Sequence, residues 1–151
     1  MAKVFVVYQS KWGNTKIVAE KIAEGLKTSG METDIAALKE IKTDRIPEFD
    51  AILIGTPNHV GGATGGVKKF INGLSKLQLE GKGIGFFDTY LGKDFEKAVK
   101  KMEKQAADTL SGMKILAPGL SIRVDGMKGP ITEGELQKCE EFAAKIVAAL
   151  Q

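Results

Sequence analysis

The chain is poor in the residues that most often carry chemistry on their own. Its 151 residues include one cysteine, Cys139, and one histidine, His59. A lone thiol excludes an intramolecular disulfide and agrees with a reducing compartment. One Cys and one His far apart in sequence make no ligand cluster, so no metal is expected. Cys139 shares a helical apolar stripe with Leu136, Ala143, Ile146, Val147 and Leu150 and reads as a buried structural thiol. Long hydrophobic runs are missing as well: nothing approaches the roughly 18 apolar residues of a membrane helix. The opening MAKVFVVYQS has one lysine and an apolar stretch too short for a secretory leader, so a soluble cytoplasmic protein without a membrane partner is expected. Nor is there an excess of one charge. With 22 Lys and Arg against 19 Asp and Glu, the net charge of +3 is too small and too evenly spread to imply nucleic acid. Lys93 to Lys104 interleaves Asp94, Glu96 and Glu103 with lysines, which is how a solvated helix face looks.

What is present is one domain's worth of core. Hydrophobic residues make up 43% of the chain, and a chain this long buries roughly 70% of its unfolded surface. A single domain over 1–151 is expected. Its organising stretch is Val4 to Thr15. Val4, Phe5, Val6, Val7 and Tyr8 read as a strand buried on both faces. A glycine-containing turn follows, and then a helix from Thr15 to Thr28 whose residues Val18, Ala19, Ile22, Ala23 and Leu26 recur at three- and four-residue spacing. Strand, tight turn and helix in direct succession aim the free N–H groups of the helix's first turn, and the positive end of its dipole, at the loop. Ser10, Asn14 and Thr15 add polar side chains, and Gly13 permits the unusual φ that wrapping an anion demands. Asn14 as a plain helix cap, with no ligand, is the other reading of the same residues.

Further along, Glu32 to Leu38 reads as a weaker edge strand. Lys39 to Asp50, with Pro47, reads as a short helix or turn, and Ala51 to Gly55 as a second fully buried strand. The stretch Thr56-Pro57-Asn58-His59-Val60-Gly61-Gly62 and the glycines that follow are a strong loop signal, ahead of a helix from Val67 to Leu74. Gly83 to Phe87 is a third buried strand, ending in a turn through Asp88, Thr89, Tyr90, Leu91 and Gly92. A helix from about Lys93 to Leu110 comes next. Met113 to Leu116 and Leu120 to Val124 form a last strand interrupted near Pro118-Gly119, which suits an edge. Thr132 and Glu135 match a capping box ahead of the final helix. Five strands alternating with helices argue for a doubly wound α/β fold, a parallel five-stranded sheet in a three-layer sandwich of order 2-1-3-4-5. Central strands of this class carry ligand loops at their C-terminal ends.

The string Ser10-x-x-Gly13-Asn14-Thr15 resembles the FMN phosphate loop of the flavodoxins, with Trp12 where the usual pattern has Thr, as in the flavodoxin module of A-type flavoproteins. It is neither a Walker loop nor a dinucleotide fingerprint. Gly55-Thr56-Pro57 followed by Gly61-Gly62 is similar to the flavin-lining loop of that module, with Asn58-His59 in place of Thr-Tyr. Phe87-Asp88-Thr89, and the segment from Lys128 to Leu136, resemble a group of short flavodoxin-like proteins. The resemblance implies FMN as cofactor. Ser10, Lys11, Trp12, Gly13, Asn14 and Thr15 would hold its phosphate. Thr56, Pro57, Asn58, His59, Val60, Gly61 and Gly62 would lie on one side of the ring, and Asp88, Thr89, Tyr90 and Gly92 on the other. It implies an electron carrier serving a redox donor and a redox acceptor, expected as a monomer or weak dimer, with no catalytic residue of its own. His59, Lys68, Lys69 and Lys93 are expected to make the ring's surroundings more positive than in the acidic flavodoxins. The alternative is an FMN-dependent NAD(P)H (quinone) oxidoreductase. A phosphoacceptor module of similar topology is excluded, because Tyr8-Gln9-Ser10 lacks the paired acids that would hold Mg²⁺.

Overall fold

The computed structural model describes residues 2–151. Six strands and four helices follow one another as β1 (Lys3–Tyr8), α1 (Asn14–Thr28), β2 (Glu32–Ala37), β3 (Ala51–Pro57), α2 (Gly65–Leu74), β4 (Gly83–Tyr90), α3 (Lys97–Thr109), β5 (Lys114–Ile115), β6 (Leu120–Arg123) and α4 (Gln137–Leu150). Two short 3-10 turns, Leu38–Glu40 and Thr43–Glu48, fill the connection between β2 and β3. All pairings of the sheet are parallel, in the order β2-β1-β3-β4-β5, with β6 also on β4. β5 and β6 are two halves of one edge strand, broken at the Pro118-Gly119 step that the sequence marks as an interruption. The 2-1-3-4-5 order therefore holds.

The central strands are apolar on both sides because both sides are covered. Val4, Val6, Leu53 and Phe87 pack with α1 and α4 in one cluster. Their alternate neighbours Val7, Ile52, Ile54 and Phe86 pack with α2 and α3 in the other. Cys139 is fully buried in the first cluster, and burial pushes its thiol up to about 12. Among the described residues no helix is long and apolar enough to cross a membrane.

Of the boundaries that differ from the sequence reading, four have a clear physical reason. β4 does not stop at Phe87. It runs through Asp88, Thr89 and Tyr90, all buried, because partners from other elements satisfy the polar side chains. α3 correspondingly starts at Lys97 instead of near Lys93. Asn14 is the first residue of α1 and not its cap. That position belongs to Gly13, in the left-handed region at φ 94°, and no side chain caps the helix. The capping box at Thr132 does not form, since the Thr132 hydroxyl donates to Asp125 and the Glu135 carboxylate accepts from the Arg123 amide, so α4 begins only at Gln137.

Candidate functional site

The strand order reverses between β1 and β3, and in such sheets the loops leaving the two strands diverge and open a crevice at their C-terminal ends. Ser10 folds the first loop back on itself: its Oγ accepts the Gly13 amide at 3.0 Å. The Gly13 carbonyl then accepts the Ile17 amide at 3.1 Å, the first bond of α1. The amides of Asn14, Thr15 and Lys16 precede that bond, and with no capping side chain they remain donors for a ligand. The Asn14 side chain packs against Gly129. Thr15 is buried, and its hydroxyl lies 2.9 Å from that of Thr89 on β4. Whichever of the two accepts keeps its own proton free.

The second loop is built on Thr56. Its buried hydroxyl accepts the Thr64 amide at 3.1 Å and donates to the Pro57 carbonyl at 2.9 Å. Thr64 in turn caps α2 at Val67 and donates to the Gln9 side chain, tying the end of β1 to the start of α2. His59 and Gly62 exchange both backbone bonds, at 2.7 and 3.1 Å, around a tight turn. Its two central residues, Val60 and Gly61, have φ values of 50° and 76°, the mirror-image turn that glycine adopts freely and a β-branched residue does not. Val60, held in that strained conformation, is 92% exposed. The Asn58 amide donates to the Thr89 carbonyl at 2.7 Å, and its side-chain NH₂ donates to Asp94 Oδ2 at 2.7 Å. Asn58 Oδ1 is buried without a partner, the one such side-chain atom among the described residues.

On the third side, the Tyr90 ring meets Phe95 edge-on at 5.5 Å between centroids. Burial, reinforced by Glu135, holds its phenol above the usual range, so it stays neutral. Asp88 points to the face of the sheet that α3 covers, opposite to Thr89. Its carboxylate accepts from the Ser121 hydroxyl at 2.6 Å and from the Val99 amide at 3.1 Å, and Ser121 Oγ accepts the Glu96 amide at 2.9 Å. It thus holds the start of α3, whose cap residue Glu96 makes no side-chain capping bond of its own. Burial outweighs both hydrogen bonds and raises its carboxyl to about 7.

These loops enclose a cleft of about 420 Å³, within the range of small-ligand sites. Of the residues singled out in the sequence, Ser10, Lys11, Trp12, Asn14, Thr15, Pro57, Asn58, His59, Val60, Thr89 and Tyr90 line it. Gly13, Thr56, Gly61, Gly62, Asp88 and Gly92 do not. Gly13 and Thr56 shape the loops from behind, and Gly61 and Gly62 lie against the Lys101 side chain. Leu91, Asp94, Val124 and Met127 also line the cleft. Leu91 belongs to the turn marked in the sequence, whereas no local pattern marks Asp94, Val124 or Met127 and only the fold brings them there. Hollows of about 510 Å³ beside β2 and about 560 Å³ at the foot of α3 are larger, but neither faces free helix amides or an unpartnered buried acceptor.

The cleft's donor set suits FMN. Unbonded amides at the start of α1 and neutral hydroxyls could hold an anion at one end, the buried Asn58 Oδ1 could accept from an N–H or O–H donor, and apolar side chains wall the space between.

The family model for the flavodoxin domain matches residues 5–121. A flavodoxin from Clostridium saccharobutylicum is 35% identical over 88 residues, 58% of this chain and 55% of that protein. An NAD(P)H dehydrogenase (quinone) from Acidithiobacillus ferrooxidans is 28% identical over 106 residues, 56% of this chain and 53% of that protein. The match thus spans about half the length of these curated relatives. Among solved structures, a flavodoxin from the domain Archaea aligns over 99% of both chains with a TM-score of 0.83 and 25% identity. The sheet order, the cleft at its switch point and the family match over most of the sequence lead to one conclusion: the chain belongs to the flavodoxin family.

Proposed function

We propose that the chain binds FMN in this cleft and carries single electrons between redox proteins. The observation that carries the reading is the uncapped start of α1, where the amides of Asn14, Thr15 and Lys16 are left without acceptors beside a cleft walled by two further loops. A phosphate dianion needs such oriented neutral donors, and the helix dipole adds to the attraction. When bound, FMN supplies one- and two-electron redox chemistry, and the protein supplies position and electrostatics.

Each group then has a task. Ser10 holds the loop open at Gly13, and Lys11 adds long-range positive charge. Pro57, His59 and Val60 wall one side of the slot, and Tyr90 with Leu91 walls the other and excludes water. Asn58 Oδ1 offers a fixed acceptor. His59 sets the one imidazole of the chain in that wall.

A second reading, an FMN-dependent NAD(P)H (quinone) oxidoreductase, is favoured by the likeness to the NAD(P)H dehydrogenase (quinone) of Acidithiobacillus ferrooxidans. One preparation separates the two. Purified protein that is yellow and releases one equivalent of FMN on denaturation supports the cofactor. Steady NADH or NADPH oxidation by that preparation supports the enzyme, and its absence together with one-electron exchange with a redox protein supports the carrier. A colourless protein that takes up no FMN refutes both.

A further inference from the structure

Large apolar side chains are exposed at seven described positions, and five of them gather at this end of the sheet: Trp12, Val60, Leu91, Phe95 and Met127. Four of the five line the cleft, and Phe95 packs on Tyr90, which also lines it. Scattered apolar residues are normal on a surface, but a contiguous rim marks an interaction site.

The unpaired charges around the rim are mainly of one sign. The ammonium groups of Lys11 and Lys128 lie 5.4 and 5.0 Å from the centre of the Trp12 ring, so two cations are held beside an exposed indole. Across the cleft, the Lys68 and Lys101 side chains pack at Gly62. None of these four lysines forms an ion pair among the described residues. Of the acids at the rim, Asp94 is answered by Lys97 at 3.1 Å and by Asn58, and Glu96 by Lys100 at 3.6 Å, while Asp125, between Val124 and Met127, accepts only the Thr132 hydroxyl. Charge left unpaired at the rim is therefore mainly positive, the four lysines against Asp125.

We infer that the rim docks an acidic redox protein end-on, with the partner's apolar centre over the exposed side chains and its carboxylates meeting the four free lysines. The inference rests on the FMN reading of the cleft and adds the partner's chemistry. Complementary charge sets encounter rate and orientation while the apolar centre holds the complex. A single-stranded nucleic acid also uses an aromatic ring flanked by lysines. It fits this rim less well, because Val60, Leu91 and Met127 offer no face for a base to stack on.

The test uses the FMN-loaded full chain and two probes, an acidic [2Fe–2S] ferredoxin and a basic c-type cytochrome. One electron leaves the reduced iron–sulfur centre, which is oxidised, and enters the bound flavin, which is reduced. Stopped-flow rates of this transfer are expected to fall about tenfold as salt is raised from low to high, since screening removes the steering. Electron transfer from the reduced protein to the basic cytochrome is expected to quicken with salt. Lys101→Glu with Lys128→Glu should slow the ferredoxin reaction about tenfold at low salt and leave it unchanged at high salt, while the double Lys→Arg variant behaves as the parent. A ferredoxin rate indifferent to salt, or a cytochrome rate that falls with it, overturns the proposal. So does tighter binding of an oligonucleotide than of ferredoxin, read from Trp12, the only tryptophan in the chain. If no flavin is retained, the FMN reading fails, and Trp12 emission on adding oxidised ferredoxin still decides whether the rim docks an acidic protein.

Discussion

Asn58 and Asp94, 36 positions apart in sequence, are joined by a hydrogen bond of 2.7 Å from the carboxamide NH₂ to the carboxylate. An ionised carboxylate can only accept, so the bond fixes which way the amide faces. Lys97 holds the other oxygen of Asp94 at 3.1 Å. The result is a buried amide oxygen at the cleft with nothing to bind, and leaving such an acceptor unmade is costly. Asn58→Ala removes it and should weaken FMN binding about tenfold, the equivalent of about 1.4 kcal/mol. Asn58→Asp, which sets a second carboxylate against Asp94, should weaken it further. Titration of apoprotein by flavin fluorescence reads both, and unchanged affinity in Asn58→Ala removes the atom from the site.

Asp88 makes stability depend on pH in an unusual direction. Its carboxyl moves from 3.8 to about 7 on folding, so the folded chain binds a proton that the unfolded chain has already lost. The stabilisation this gives is fully present below about pH 4 and disappears as pH rises through about 7. Urea unfolding should show the parent more stable at pH 5 than at pH 8 by about 2 kcal/mol relative to Asp88→Asn, in which the group does not titrate. Parallel pH profiles for the two proteins contradict the assignment.

The hydroxyls of Thr15 and Thr89, 2.9 Å apart and both buried, provide a case where two changes cost less than the sum of each. Thr15→Val or Thr89→Val alone strands a buried hydroxyl and should destabilise by about 1–3 kcal/mol, whereas the double variant should lie near the parent. Additive losses in a double-mutant cycle would show that the pair does not interact.

These residues also show what the sequence could and could not reveal. The segment from β1 through α1 was legible because its signals are local: an apolar run, a glycine at the turn, a stripe at helical spacing. The ends of β4 and α3 were not. Asp88, Thr89 and Tyr90 read as a turn because polar residues rarely continue a buried strand, and what admits them lies far away, Ser121 on β6 and Thr15 on α1. The Thr132 capping pattern failed for the same reason, since Asp125 takes the hydroxyl that a cap would use. Asp94 falls in a pattern that reads as a solvated face, and nothing near it in sequence announces Asn58. Trp12, identified from its place in the first loop, lines the cleft half-exposed between two lysines.

The central claim is that the uncapped start of α1 grips a phosphate, and comparing FMN with riboflavin, which differ only in that group, tests it most directly. If two or more charge-assisted hydrogen bonds from the Ser10 to Thr15 loop hold the phosphate, apoprotein should bind FMN at least about 100-fold more tightly than riboflavin. Dissociation constants within about twofold of each other would mean that the phosphate is not held there, and would contradict the account.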